Sequence, residues 1–298
     1  MMETLKMGRL KWHHIINPNE DDFNFLKDNH FHPLDIEDCK SQNQRPKIDI
    51  YDNYYFLILH FPNFDKQNLF IKTKEVKIFW GKNYIISIEK SNWVTSRLFA
   101  EFKEHDATFD INTSDALLYR ILEKLMTEAI YLLLKVGLDL ELINRELFGN
   151  KQVKIIERIS ITRRNIILIN TILKPQLRVF HKFETGQVKG FADNMEDYWG
   201  NILDYYQKMW DMTEDYEDLI EGLSKTFDSM QTNKTNEIMK ILTLISSIIL
   251  PLTFITSLYG MNVRLPLEET PTAFWILLVG MGVLSIAMII YFKRRKWM

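Results

Sequence analysis

Two uncharged, mostly apolar runs near the C-terminal end restrict the fold of this chain more than any other feature. They cover residues 241–258 and 274–292, and neither contains a charged side chain. A helix needs about 20 consecutive apolar residues to cross the hydrocarbon core of a bilayer. Both runs therefore predict membrane-spanning helices. Buried core helices of a soluble protein are the alternative, but two charge-free runs in tandem favour the membrane.

The rest of the chain has the composition of a soluble region. Of the 298 residues, 26% are charged, and the formal net charge is -2. A balance this close to neutral argues against a nucleic-acid partner. Cys39 is the only cysteine, which excludes an intrachain disulfide and a cysteine-based zinc site.

The charges that flank the two apolar runs predict their orientation. Residues 293–296 are all basic, whereas the loop between the runs carries Arg264 together with Glu268 and Glu269. Because basic loops stay on the cytoplasmic side, we expect the tail in the cytoplasm and the loop outside. Two spans then also place the N-terminal region in the cytoplasm, so the chain is predicted to be a multi-pass protein of the cell (plasma, or bacterial inner) membrane.

Residues 1–112 have the pattern of a cytoplasmic α/β domain. Segments 54–62, 69–81 and 83–90 are rich in β-branched and aromatic residues, which favour strands. We expect a sheet with helices on its faces and a hairpin turn at residues 63–66.

From residue 113 the apolar spacing changes to that of helices. Residues 113–193 are predicted to form a helical cytoplasmic region that opens with an N-cap at Thr113 or Ser114 and contains Pro175. Residues 194–240 predict a stalk helix that continues into the first span, residues 241–262. An outer loop, 263–273, a second span, 274–292, and a basic tail, 293–298, complete the predicted α+β membrane protein. A continuous helix over residues 194–258 would be about 100 Å long at ~1.5 Å per residue.

One face of the first span carries polar residues at the spacing of a coiled-coil seam. Its members, at steps of 3 and 4, are Asn236, Met239, Thr243, Ser246, Leu250, Thr253, Ser257 and Gly260. A polar stripe on an apolar span faces a bundle interior or a water column. Close helix packing through small residues is the alternative. Met239, Leu250 and the adjacent Leu242 would form apolar rings that gate such a channel by dewetting.

The first span ends in the sequence Tyr-Gly-Met-Asn. In a parallel oligomer the carbonyl ends of these helices converge at the outer mouth, where they carry partial negative charge. The amide oxygen of Asn262 adds a neutral acceptor there. Neutral acceptors suit a strongly hydrated cation such as Mg²⁺, which releases its water reluctantly.

This arrangement resembles the CorA family of divalent-cation channels, whose signature is Gly260, Met261 and Asn262 at this position. Segments 32–61, 233–262 and 291–298 are also similar to that family. The resemblance implies a funnel-shaped homopentamer whose first spans line the pore, with passive uptake of Mg²⁺ and also of Co²⁺ and Ni²⁺. It implies that Asn262 is the selectivity residue, that Gly260 and Met261 shape its loop, and that Asn236 and Thr253 occupy pore positions.

The sequence departs from the family in places. Ser257 replaces a glycine that is common before the motif, and the outer loop lacks the usual Met-Pro-Glu-Leu, although Glu268 and Glu269 can supply the negative charge. In magnesium-sensing members an aspartate pairs across the subunit interface with an aspartate on the stalk. Asp38, beside Glu37, matches the first position. Asn201 stands at the second, so a regulatory Mg²⁺ site would need Asp197 or Asp204 instead.

Other functions are also compatible with parts of the sequence. A related branch of the family handles Zn²⁺, and a membrane-tethered regulator could use the fold without conducting ions. No enzyme motif is present, and we expect no resident cofactor. His13, His14, His30 and His32 could suggest a metal site, but because they are scattered over predicted turns and helix ends, we expect ordinary surface side chains.

Overall fold

A computed structural model describes residues 2–42, 44–65, 70–104, 111–147, 152–261, 272–295 and 297. By its internal contacts the chain divides into an N-terminal unit, residues 1–224, and a C-terminal unit, residues 225–298. The domain boundaries expected from the sequence divide these units more finely and remain predictions.

The N-terminal unit contains one six-stranded sheet. Its strands are β1 (Met2–Met7), β2 (Leu10–Ile16), β3 (Lys47–Ile50), β4 (Tyr54–Asp65), β5 (Phe70–Gly81) and β6 (Tyr84–Glu89). Their order is β1-β2-β6-β5-β4-β3. Strands β2 and β6 pair in parallel, and all other neighbours pair antiparallel.

The sheet is larger than the sequence predicted. Only β4, β5 and β6 were expected, because their residues are strongly β-branched and aromatic. The hairpin turn expected at residues 63–66 was placed wrongly: Asn63 pairs with Lys72 and Asp65 with Phe70, so strand β4 continues through Asp65. The connection between β4 and β5 lies outside the described residues.

Two short helices cover one face of the sheet. Helix α1 (Glu20–Asp28) begins with a capping box, in which Asn19 and Asp22 bond each other's backbone N–H groups. Helix α2 (Pro33–Lys40) is capped by the His32 side chain, which accepts from the Leu34 N–H. Apolar residues of both helices, among them Leu26 and Ile36, pack with strand residues such as Phe56 in one core.

The other face of the sheet carries three longer helices. Helix α3 (Val94–Glu104), which the sequence reading missed, contacts β2, and helices α4 (Ser114–Leu147) and α5 (Gln152–Glu184) contact β4 and each other. Thr113 is the N-cap of α4, since its hydroxyl accepts from the Ala116 N–H. Helix α5 continues through Pro175.

Helix α6 runs from Glu196 to Tyr259 and belongs to both units. It begins two residues later than predicted, because Asn194 has a positive φ of 64° and cannot continue a helix. Its first turns pack in the N-terminal unit: Trp199 meets Trp80 with ring centroids 5.7 Å apart, and the Tyr206 hydroxyl donates to the Leu173 carbonyl. The expected long helix is therefore present.

Helix α7 (Ala273–Arg294) follows in the C-terminal unit. Both α6 and α7 contain an 18-residue stretch that is long and apolar enough to cross a membrane, with mean hydropathies of 2.1 and 2.4. Only 6% of the first stretch and none of the second is buried. The alternative of two buried core helices is therefore wrong within the described residues.

Candidate functional site: the exposed face of helix α6

The face of α6 expected to line a pore is not covered by the chain itself. All eight members are exposed; we call Asn236, Met239, Thr243, Ser246, Leu250, Thr253, Ser257 and Gly260 the α6 seam. Leu242, beside the seam, is also exposed. Since residues at steps of 3 and 4 lie on one side of a helix, the seam is one continuous surface about seven turns long.

The side of α6 away from the seam is partly covered. Leu244 is buried, and Ile248, Pro251 and Ile255 are half-buried. On α7 the half-buried positions also form one stripe, which comprises Leu277, Met281, Leu284, Ser285, Met288 and Phe292. Each of the two helices thus has one stripe of lower exposure, and the seam of α6 lies outside that stripe.

The two threonine hydroxyls of the seam donate their protons within the helix. Thr243 Oγ1 donates to the Met239 carbonyl at 2.8 Å, and Thr253 Oγ1 donates to the Ile249 carbonyl at 3.0 Å. Each hydroxyl oxygen keeps its lone pairs for an outside partner. The seam therefore presents acceptors, which can bind water or the water shell of a cation.

Large apolar residues interrupt these acceptors. Met239 is 54% exposed, Leu242 55% and Leu250 68%. Around Leu250 the surface forms a groove whose lining includes Phe254 and the seam residues Ser246, Thr253 and Ser257. Exposed apolar surface of this extent is typical of a lipid-facing or protein-facing region. The seam thus alternates acceptor groups with apolar positions suited to a constriction.

Helix α6 ends at the start of the sequence motif. Tyr259 is its last residue, the Gly260 N–H still donates to the Thr256 carbonyl at 3.0 Å, and the Met261 N–H donates to the Leu258 carbonyl. A Cβ atom at position 260 would lie 3.2 Å from the Thr256 oxygen, so a larger residue would require this last turn to shift by a few tenths of an ångström. Asn262, Glu268 and Glu269 lie outside the described residues, so their roles remain predictions.

The residues predicted to bind a regulatory cation have partners within their own chain. Lys47 Nζ lies 2.7 Å from Asp38 Oδ2 and also pairs with Asp49. Burial alone would lower the pKa of Lys47, but its bonds to Asp38 and Asp49 outweigh burial and raise it. Asn201 Nδ2 donates to the Tyr119 hydroxyl at 2.8 Å. Both partners were missed in the sequence: Tyr119 lies 82 residues from Asn201, and Lys47 lies on strand β3, which the sequence did not predict.

The other predicted regulatory residues do not complete a metal site in one chain. Glu37, Asp197 and Asp204 are exposed. Across the described part of the chain, no three His, Cys, Asp or Glu side chains come close enough to hold a metal ion. A single chain therefore does not fit a resident cation at these positions, and metal binding between subunits remains a prediction.

One of the four N-terminal histidines is not on the surface as expected. His14 is buried and bonded through its two ring nitrogens to Ser87 and Ser96, and Glu89 lies 3.5 Å away. Burial alone would raise the pKa of Glu89, but hydrogen bonds from His14, Ser96 and Thr95 outweigh it and lower the pKa. The parallel pairing of β2 with β6 places His14 opposite Ser87, so this cluster stabilises the fold.

Comparison with known proteins identifies relatives over nearly the whole chain. Residues 8–294 match the family model described as CorA-like Mg2+ transporter protein. A Cobalt/magnesium transport protein CorA from Thermotoga maritima is 28% identical over 90% of this chain and 77% of its own length. A Putative metal ion transporter, YfjQ, from Bacillus subtilis is 30% identical over 99% of this chain and 93% of its own length.

The fold also matches a solved structure. The CorA magnesium transporter from Methanocaldococcus jannaschii aligns with a TM-score of 0.86 and covers 99% of this chain and 93% of its own. At 21% sequence identity, that match supports the architecture of sheet, long helix and C-terminal apolar helix.

Proposed function

Because this chain belongs to the CorA-like family of Mg²⁺ transporter proteins, we propose that it forms a homopentameric pore for passive uptake of hydrated Mg²⁺. The family consists of divalent-cation transporters and not of enzymes. Transport of Mg²⁺ and cobalt is named for relatives of this chain. We propose Mg²⁺ as the main substrate here and Co²⁺ and Ni²⁺ as further ions.

The exposed seam of α6 is the observation that carries this proposal. A single chain leaves eight positions of one helix face uncovered, and five of them are Asn, Thr or Ser. Lipid is a poor solvent for these side chains, whereas a shared axis between copies would cover them with water or ions. Five seams around one axis would give rings of hydroxyl acceptors separated by rings of Met239 and Leu250.

Selectivity in this proposal depends on the outer end of α6. The helix carries partial negative charge at its C-terminal end, and Asn262 follows three residues after its last residue. Five amide oxygens around the axis would bond the water molecules of a hydrated cation. Mg²⁺ holds its water tightly, so a ring that recognises the hydrated ion favours it over ions that shed water easily.

The orientation proposed for the chain puts both termini in the cytoplasm. The last turn of α7 contains Lys293 and Arg294, and Arg295 follows at its end. These residues would lie at the cytoplasmic surface by the positive-inside rule. The N-terminal unit would then occupy the cytoplasm, and Glu268 and Glu269 would lie at the outer mouth of the pore.

Ion flux into proteoliposomes tests the substrate and the selectivity residue together. We expect uptake of Mg²⁺, Co²⁺ and Ni²⁺ by the reconstituted chain and its abolition by Asn262→Ala. The matched control is Asn233→Ala, in α6 before the seam, which should leave uptake unchanged. Uptake of Zn²⁺ alone would instead indicate the zinc branch, and no flux of any ion would indicate a non-conducting regulator.

Native mass measurement in mild detergent tests the assembly separately. We expect five copies for the wild type and for Asn262→Ala, since that residue follows the last residue of α6 in sequence and is not a member of the seam. A monomer or dimer would contradict the pentamer.

A further inference from the structure

A basic groove lies on the N-terminal unit, between the segment that leads into strand β3 and one face of helix α5. Residues 45–49 form one wall, and α5 residues from Asn170 to Lys182 form the other. The cavity volume is about 860 Å³, which lies in the range typical of small-molecule sites. The predicted pore makes no use of this groove.

The charge of the groove differs from that of the whole chain. It is lined by Arg45, Lys47, Lys174, Arg178 and Lys182 against a single carboxylate, Asp49. The chain as a whole has a net charge of -2. Two further carboxylates bond residues of the walls, Asp38 at Lys47 and Glu217 at Asn170. Five cations against three acids still form a local positive field, which attracts anions and loses strength as salt increases.

Three of these cations are available to a ligand. Lys47 is paired with Asp38 and Asp49, and Lys182 donates to the Ile48 carbonyl at 3.3 Å. Arg45 and Arg178, by contrast, are exposed and form no ion pair within the described part of the chain. Lys174 is also exposed.

The three available cations approach the groove from both walls. Lys174 and Arg178 are one turn apart on α5, so they lie on the same face of the helix. Arg45 stands on the opposite wall. Lys174 Nζ lies 5.8 Å from the ring centre of Trp210, a contact that needs no carboxylate.

Apolar groups lie between the charges. Pro46 is half-buried on one wall, Pro175 is exposed on the other, and the Val179 side chain is buried beneath. Rigid apolar rings on two walls can hold a flat heterocycle, because the contact costs little conformational entropy. The groove thus combines cations with a narrow apolar surface.

We propose that this groove binds a phosphate-bearing anion of the nucleoside di- or triphosphate class. Guanidinium groups bind phosphate oxygens in bidentate fashion, so Arg45 and Arg178 would hold the phosphates from opposite walls with Lys174. Pro46 and Pro175 would contact the base. An acidic segment of another copy is the competing occupant, but concave walls with apolar surface between the cations favour a small ligand.

Calorimetric titration of the full-length chain in detergent, at low salt and without divalent cations, tests the site with ATP as the probe. We expect saturable binding that weakens from ATP to ADP to AMP, as phosphates are removed. Inorganic tripolyphosphate should bind more weakly than ATP, since it lacks the base. Equal binding of tripolyphosphate and ATP would overturn the nucleoside assignment, and the absence of saturable ATP binding would overturn the site.

Charge reversal on each wall locates the site. Arg178→Glu and Arg45→Glu should each lower ATP affinity about tenfold or more, because each replaces a charge-assisted bond by repulsion. Arg163→Glu makes the same change at an exposed position of α5 outside the groove and should not change the affinity. Equal losses of ATP affinity in all three variants would show that the effect comes from net charge alone, and would overturn the site.

Two further measurements separate ligand binding from folding and assembly. By circular dichroism, both groove variants should unfold at the same temperature as the wild type. Because Arg45 and Arg178 lie on separate elements, either variant alone suffices for the test if the other fails to fold. A change in the native mass of Arg178→Glu, with ATP affinity unchanged, would make the groove a contact between copies and would overturn the proposal.

Discussion

The two units of this chain differ in the burial of their large apolar side chains. In the N-terminal unit Trp12, Trp80 and Tyr206 are fully buried by residues of the same unit. In the C-terminal unit Leu250 is 68% exposed and Phe254 67% exposed. The first unit stabilises itself by removing its own apolar surface from water. The second needs lipid or further copies to do so.

Polar groups show the same contrast. In the N-terminal unit buried polar side chains bond to groups from distant parts of the chain, such as Gln176, which bonds both strand β4 at His60 and the Tyr206 hydroxyl. On the α6 seam the Thr243 and Thr253 hydroxyls bond only their own helix among the described contacts. Among the described residues, the buried polar side chains of the first unit are bonded internally except for the Trp199 indole N–H, whereas the hydroxyl groups of the seam face outward.

The largest expected effect is on the core of the N-terminal unit. Trp80 stacks on Tyr55, meets Trp199 and donates to the Ser114 hydroxyl. Trp80→Ala should lower the free energy of unfolding by about 3–5 kcal/mol, through lost burial and a cavity. Urea denaturation in detergent, followed by circular dichroism, measures it. The exposed Trp275 provides the control, and an equal loss for Trp275→Ala would break the contrast between the units.

A buried carboxylate of the N-terminal unit should have the next largest effect. Glu89 accepts from the Ser96 N–H at 3.1 Å and from two hydroxyls. Glu89→Gln should lower the free energy of unfolding by about 1–3 kcal/mol, because an amide cannot accept all these hydrogen bonds. The control, Glu104→Gln at an exposed position, should leave the free energy of unfolding unchanged.

The pH dependence of this loss has a definite sign. The folded-state pKa of Glu89 is lowered, so its contribution is complete above the unfolded-state pKa, about 4.3. It is lost as the pH falls through the folded-state pKa. The difference between wild type and Glu89→Gln should therefore shrink in acid, and a difference that grows in acid would contradict the ionised form.

A smaller effect is expected at the Asp38–Lys47 pair. Since the Lys47 ammonium already pairs with both Asp38 and Asp49 and offsets one of their two negative charges, we expect protease protection of the N-terminal unit to depend little on Mg²⁺. Lys47→Met leaves two carboxylates without their cation and should make protection several-fold more dependent on Mg²⁺. Lys40→Met, in the same helix as Asp38, is the control. Strong Mg²⁺ dependence in the wild type would instead support a regulatory cation between subunits.

The smallest effect on stability is expected on the α6 seam. Leu250→Ala removes an exposed side chain and should change the free energy of unfolding by less than about 0.5 kcal/mol. In proteoliposomes the same change should increase Mg²⁺ flux, because it widens the proposed apolar ring. Phe254→Ala, equally exposed but off the seam, should leave flux unchanged. A large loss of stability in Leu250→Ala would show that the seam is a packing surface within one chain.

Much of the fold could be predicted from the sequence, and the failures have physical causes. Strands β4 to β6 and helices α4 to α7 have strong local patterns. Strands β1 and β2 were missed because their residues are polar and mixed, and only pairing with β6 makes them strands. His14 was taken for a surface residue for the same reason, since its burial depends on Ser87 and Ser96, more than 70 residues away.

The sequence by itself determined the two apolar helices, the polar face of the first and the motif at its end. These features depend on residues within a few turns of one another, and helical periodicity converts such spacing directly into a surface. Only the tertiary structure decided that Lys47 neutralises Asp38, that Tyr119 binds Asn201, and that Arg45 faces Arg178 across a groove. Asn201 and Arg178 are far in sequence from their partners, and Lys47, although close to Asp38 in sequence, lies on a different element. No local pattern encodes which side chains the packing of sheet and helices brings together.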